Sequence, residues 1–210
     1  MSRRSYGQFC GLVRAAELVA ERWALLIVRD LLVSPKRYTD LLNGLPGIPT
    51  NVLAARLKQL EEGGVVRRRL DDRAVLYELT EYGQELEAAV LALGRWGARM
   101  LTEPAPDEVV TPDSMVMAFR STFRPEAAQG LTASFEVRLG EIALHVHVED
   151  GEAHVDAGAA PAPDLVIETG PAIKALMAGE LTPAEARANG SVRLTGDPRL
   201  LDRFAALFRI

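Results

Sequence analysis

The chain has 210 residues, a net charge of −5, 48% apolar residues and one cysteine. That length suits one or two domains that each bury a core, and a lone cysteine excludes an internal disulfide framework. No apolar run reaches the length of a membrane span, and no apolar stretch follows the basic start Arg3-Arg4, so neither a membrane segment nor a signal peptide is expected and a cytoplasmic protein is.

The acidic balance argues against a polyanionic partner, but its distribution argues for one. Residues 1–70 hold 12 Lys/Arg against 6 Asp/Glu, whereas residues 104–210 hold 9 against 16. Positive charge is thus concentrated in the first third, as a phosphate-binding surface requires. Uneven surface charge without a partner fits the same count.

Leu12, Ala15, Ala16 and Val19 predict a helix over 12–19, and Trp23, Leu26, Ile27, Leu31 and Leu32 a broad-faced, buried helix over 23–33. Ser34-Pro35 ends it, which leaves Lys36 and Arg37 in a loop, where they either reach phosphates or stand solvated. A short helix from 39 then ends in the Gly/Pro-rich turn around Gly44-Leu45-Pro46-Gly47. The next helix spans 50–62 with Thr50 as its N-cap. Leu53, Leu57 and Leu60 form its apolar stripe, and Asn51, Ala55, Lys58 and Glu62 lie opposite. A short helix, a tight turn and a helix with a small polar outer face is the layout of a helix-turn-helix DNA reader. An ordinary helical hairpin would show the same pattern.

Gly63-Gly64 stops the helix. Val66, Arg68 and Leu70 then alternate with Arg67 and Arg69, Asp71-Asp72-Arg73 makes a turn, and Val75, Tyr77 and Leu79 alternate again. This is a two-stranded wing, with Arg67, Arg69 and Arg73 as candidate phosphate or minor-groove contacts. The same charges would also serve to blunt an edge strand. Thr80 caps a long helix over 81–101, on which Leu86, Val90, Leu93, Gly97 and Met100, with Trp96 beside them, form a seam for a partner helix. A second copy is the expected partner, placing two recognition helices about 34 Å apart.

Five blocks in this stretch carry a family likeness: Arg22-Trp23-Ala24-Leu25-Leu26-Ile27-Val28-Arg29-Asp30-Leu31, Leu45-Pro46-Gly47-Ile48, Leu53-Ala54-Ala55-Arg56-Leu57-Lys58-Gln59-Leu60-Glu61-Glu62-Gly63, Leu79-Thr80 and Trp96-Gly97. Residues 10–101 resemble the HxlR family of MarR-like winged helix-turn-helix transcriptional regulators. The resemblance implies a homodimer that binds double-stranded operator DNA, with Thr50, Asn51, Ala55 and Lys58 reading bases and Lys36, Arg37, Arg67, Arg69 and Arg73 anchoring phosphates. Cys10 stands at the spacing of the family's N-terminal cysteine, which some relatives use as a thiol sensor. Arg14, one turn along, would favour its thiolate; a small buried residue is the alternative. Gly11 and Pro49-Thr50-Asn51 depart from the family pattern, so the operator sequence does not carry over.

Residues 103–112, with Pro104 and Pro106, read as a linker between a first domain, 1–102, and a second, 113–210. A short helix over 114–123 comes first. Ala133, Phe135, Val137 and Leu139 alternate with Thr132, Ser134, Glu136 and Arg138, and Ile142, Leu144, Val146 and Val148 with polar neighbours, as half-buried strands do. Asp150-Gly151 is a two-residue hairpin turn into a third strand, which sets His147 opposite His154 and His145 opposite Asp156. Three imidazoles and a carboxylate on one face suit a zinc-like ion, but a solvent face produces the same alternation, and no metal is expected. Two further strands and three helices complete a five-stranded α+β domain. Asp164-Leu165-Val166-Ile167, then 176–186 and then 190–197 resemble the sterol-carrier-protein fold, which implies an apolar or lipid-like ligand. Its candidate liners are Phe119, Phe123, Phe135, Leu176, Met177, Phe204 and Phe208; plain core is the alternative for each.

The fold class is therefore α+β, a winged helix-turn-helix followed by a small sterol-carrier-like domain. The expected function is transcriptional repression, with an apolar effector bound by the second domain. A lipid carrier that uses the winged domain only to dimerise is the other reading. No catalytic arrangement and no cofactor motif is visible, so no enzyme is expected.

Overall fold

The computed structural model describes residues 5–72, 74–102, 105 and 108–210. The chain divides into two compact units, Met1–Val90 and Leu91–Ile210.

The first unit contains α1 (Gly11–Val19), α2 (Ala24–Val33), β1 (Lys36–Arg37), α3 (Tyr38–Gly44), α4 (Thr50–Glu62), β2 (Val66–Asp71), β3 (Ala74–Leu79), α5 (Glu81–Gln84) and the start of α6 (Glu87–Ala98). Its core joins Ile27, Val28 and Leu31 of α2, Leu41 of α3, Leu53, Leu57 and Leu60 of α4, and Val65, Val66 and Leu79 at the hairpin base. The leucine stripe of the fourth helix is thus its buried face. Gly64 ends that helix with a left-handed φ of 72°, which lets the Val65 N–H return to the Leu60 carbonyl at 2.9 Å.

Three local expectations are corrected. The cap of α4 is Pro49, without a side-chain cap bond, and Thr50 is already helical. Lys36 and Arg37 are not in a loop; they form β1, the third strand of the wing sheet, in the order β1-β3-β2. Its partners, Tyr77 and Leu76, lie about forty residues along the chain, so no local pattern announces the strand. The helix expected over 81–101 is interrupted at Glu85 and Leu86. There the Leu86 N–H bonds the Gly83 carbonyl at 3.2 Å, a tighter turn than the α ladder. Leu86 and Val90 consequently pack against the unit's own core.

The second unit begins with the rest of α6 and continues through α7 (Pro112–Thr122), β4 (Thr132–Leu139), β5 (Ile142–Glu149), β6 (Glu152–Ala157), β7 (Leu165–Thr169), α8 (Ala172–Ala178), α9 (Pro183–Ala188), β8 (Val192–Gly196) and α10 (Leu200–Leu207). The sheet order is β6-β5-β4-β7-β8; β4 and β7 are parallel and the other pairs antiparallel. The Asp150-Gly151 turn sets the predicted register, His147 opposite His154 and His145 opposite Asp156. Because β6 is an edge and β7 lies beyond β4, the connection between them crosses the polar face of the sheet. There Glu136 accepts the Ala160 N–H at 2.8 Å and the Arg138 Nε–H at 2.5 Å. Glu136, expected on a solvated face, is therefore buried. Thr182 caps α9 in a capping box with Glu185, with Pro183 as its first helical residue.

A Cβ added to Gly83 would lie 2.2 Å from the Val65 carbonyl oxygen, and backbone cannot yield as a flexible side chain does. Gly83→Ala is expected to destabilise the first unit by about 1–3 kcal/mol. Urea unfolding followed by Trp23 fluorescence in a Trp96→Phe background reads this, and a loss below about 0.5 kcal/mol, the size of an ordinary surface change, would contradict the close approach.

Candidate nucleic-acid interface

The recognition helix presents Thr50, Asn51 and Lys58 to solvent; Ala54 is exposed beside them and Ala55 is half-buried. Three bonds set its start. The Val52 and Leu53 N–H groups reach the Pro49 carbonyl, each at 3.0 Å, and the Tyr38 hydroxyl donates to the Thr50 carbonyl at 2.7 Å. Tyr38 thereby pins the first turn of α4 to the start of α3, and no sequence pattern singled it out. Lys58 has one charged neighbour on its own helix, Glu62, at 3.8 Å.

The expected two-stranded wing forms, and its pairing sets Arg67 opposite Glu78, Arg68 opposite Tyr77 and Arg69 opposite Leu76. Its arginines are paired within the protein. Glu78 accepts from Arg67 Nε and from Arg69 Nε, both at 2.8 Å. Arg69 also approaches Asp71 at 3.3 Å, and Arg68 on the other face donates to Glu61 of α4 at 2.6 Å. The two guanidiniums hold the Glu78 carboxyl below the usual carboxylate range, Arg69 contributing most; Glu78 in turn pushes Arg69 up. Across the sheet, Lys36 donates to the Ser34 hydroxyl at 3.0 Å. Arg37 is exposed, and its N–H bonds Asp40 at 2.9 Å. Arg73 lies outside the described residues.

Cys10 is exposed, not buried. The expected thiolate partner, Arg14, is turned to Glu17 at 2.8 Å. The thiol pKa is still lowered, because the backbone N–H groups of Val13 and Leu12 at the start of α1 favour the anion.

On α6, Leu93, Trp96 and the following Met100 are 52%, 63% and 65% exposed. This end of the predicted seam is uncovered, whereas Leu86 and Val90 are held by the core. In the second unit, the predicted liners do come together. The rings of Phe119, Phe123, Phe135, Phe204 and Phe208 form one chain of contacts with centroids 5.0–5.9 Å apart, and Leu176 and Met177 are buried as well. A shallow depression lies elsewhere, lined by Glu180, Leu181, Glu185, Ala188 and Asn189. His145 is half-buried with Nε2 3.1 Å from the Ser134 hydroxyl, and among the described residues no three His, Cys, Asp or Glu side chains are grouped to hold a metal.

Residues 18–105 match the HxlR-like helix-turn-helix family, and residues 118–209 the SCP-2 sterol transfer family. YodB, an HTH-type transcriptional regulator of Bacillus subtilis (strain 168), is 36% identical over 93 residues, covering 43% of this chain and 82% of YodB. The chain belongs to the HxlR-like helix-turn-helix family. An uncharacterised HTH-type transcriptional regulator of Mycobacterium tuberculosis (strain ATCC 25618 / H37Rv) is 40% identical over 107 residues, half of this chain; the match spans 66% of that relative's length. The solved reduced form of YodB is 30% identical, covers 47% of this chain and 100% of YodB, and has a TM-score of 0.40.

Within this HxlR-like half, reading the sequence alone missed Tyr38, Glu61 and Glu78. Each acts through a partner seven to twelve residues away on another element. Only the strict alternation of β3, which sets Glu78 on the arginine face once the register is known, signals any of them.

The lowered Cys10 thiol generates a direct test. The rate of iodoacetamide alkylation is expected to rise with pH through a midpoint below that of a free cysteine, about 8.5. Leu12→Pro, which removes one of the two N–H donors at a position where a first helical turn tolerates proline, is expected to raise that midpoint. An unaltered midpoint, or one at the free-thiol value in the parent, would refute the stated cause.

Proposed function

We propose that this chain is a cytoplasmic, homodimeric transcriptional regulator that binds an operator in double-stranded DNA and acts as a repressor. The observation that carries the reading is one core presenting an exposed helix face, Thr50, Asn51 and Lys58, beside a hairpin bearing Arg67 and Arg69. Membership of the HxlR-like family supports it, as do relatives named as HTH-type transcriptional regulators. Base contacts come from the helix, with Ala55 at its margin, and phosphate contacts from Lys36, Arg37, Arg67, Arg69 and Arg73. The uncovered apolar residues of α6 are the dimer seam. Among the described residues no helix is long and apolar enough to cross a membrane.

The second unit is the proposed sensor. Its SCP-2 family match and its aromatic cluster support an apolar effector. With the rings already in contact, an effector enters only by parting them. It changes DNA affinity only if it prefers one dimer geometry over another.

Selection from a random duplex pool tests the function. The wild-type protein is expected to enrich a partly palindromic sequence. Arg67→Ala with Arg69→Ala is expected to weaken binding to that sequence and to make its salt dependence shallower, by about 0.9 in log–log slope for each phosphate that is no longer neutralised. Binding without sequence preference, with an apolar molecule retained on native purification, would instead favour the carrier reading.

The seam has its own test in sedimentation velocity. The parent chain is expected to run as a dimer and Trp96→Glu as a monomer at equal concentration. Equal masses for the two would remove α6 from the interface.

A further inference from the structure

The wing sheet has a basic face with one carboxylate at its centre. In the order β1-β3-β2, Glu78 stands on the middle strand. Arg67 is directly opposite it on β2, and Arg69 is the diagonal neighbour. Arg37 on the other flanking strand pairs with Leu76, two residues along β3 on the same face. The Glu78 side chain is 12% exposed, against 64% for Arg67 and 43% for Arg69. It sits low between the arginines, each of its oxygens holding one Nε, at 2.8 Å. With Asp71 beside Arg69, the charges of Arg67, Arg69, Glu78 and Asp71 sum to zero. A surface built only to attract a polyanion would not carry a carboxylate at this place, since a negative charge near phosphate opposes association.

We propose that Glu78 is a positioning and specificity-determining residue of the wing. It fixes the two guanidiniums through Nε, leaving their outer edges to meet phosphate oxygens at one spacing, and it cancels the charge that would otherwise hold the wing to any DNA. Arginine suits this arrangement because its planar fork keeps further N–H donors after Nε is taken. A guanidinium held in advance loses less side-chain entropy when it meets phosphate. The wing therefore contributes to binding where the backbone geometry matches and contributes little elsewhere.

The proposal rests on the DNA-binding reading above, and the experiment separates the two. Affinities are measured for the duplex enriched by the wild-type protein and for a scrambled duplex of equal length and composition, across a salt series. Glu78→Gln keeps the shape and removes the charge. It is expected to tighten binding to the scrambled duplex, to enlarge the loss of affinity between about 50 and 200 mM salt by about threefold per wing, and to lower the ratio of enriched to scrambled affinity. Glu78→Asp keeps the charge but is too short to hold both Nε groups. It is expected to lower the ratio without altering the salt slope, a split that a merely structural role would not produce. Its charge also keeps the test open if the Gln variant folds poorly by circular dichroism. If Arg67→Ala and Arg69→Ala weaken binding while both Glu78 variants keep the parent's ratio and slope, this proposal is overturned and the DNA-binding reading stands. If the arginine variants also bind as the parent does, both fall together.

Discussion

The hydroxyl of Thr80 donates to the Gly64 carbonyl at 2.6 Å and accepts the Gly83 N–H at 3.0 Å, while the Thr80 N–H reaches the Val65 carbonyl at 3.0 Å. One residue thus joins the end of α4, the base of the wing and the first turn of α5. Val65 and Leu79 on either side are buried. The constraint propagates outward. The recognition helix cannot shift along its axis without moving Gly64, and the wing cannot swing without moving Val65. Gly83 has no room for a Cβ because the same bonds draw α5 onto the Val65 carbonyl. A DNA reader needs its helix face and its wing at one separation, and this knot supplies it with no charged group in the core of the joint.

Charge follows a different logic. The excess of cations in residues 1–70 is real, but at the wing it is not a bare positive field: Arg67 and Arg69 face Glu78, and Arg68 faces Glu61. Ion pairs whose arginines stand in solvent, as these do, contribute little to stability. What they do fix is where the guanidiniums stand in the free protein. The net charge of −5 has its source elsewhere, in residues 104–210 with 9 Lys/Arg against 16 Asp/Glu.

Features set by short-range physics were legible in the sequence. The Leu53, Leu57, Leu60 stripe follows from helical period, and the register of His147 with His154 follows from a two-residue turn and strict alternation. What could not be read depends on a distant partner. The strand at Lys36 and Arg37 exists because Leu76 and Tyr77 lie beside it. The interruption at Glu85 and Leu86 comes from the press of Gly83 against Val65. Glu136 is buried because a connection twenty-four residues later crosses above it. At the candidate site the residue types and faces were readable, but the partners of the arginines were not: Glu78 became their organiser only when β2 and β3 were paired. Arg14 likewise looked like a neighbour of Cys10 by helical spacing, yet Glu17, three residues on, takes it at 2.8 Å.

The aromatic cluster of the second unit illustrates why alternation cannot distinguish core from cavity. Phe135 points inward whether or not a space lies beneath it; only ring-to-ring distances decide, and here neighbouring rings touch. The backbone adds a further restriction. The Arg124 N–H reaches the Leu207 carbonyl at 2.8 Å and the Arg209 N–H the Thr122 carbonyl at 2.9 Å, so the ends of α7 and α10 are laced together beside Phe123 and Phe208. The Ile210 N–H bonds the Met177 carbonyl at 3.0 Å and ties the end of α8 to the same strip. Opening the cluster along this edge would break backbone bonds as well as ring contacts. Large aromatic side chains bury about 150–250 Å² each. Any molecule that separates them must replace that area with apolar surface of its own.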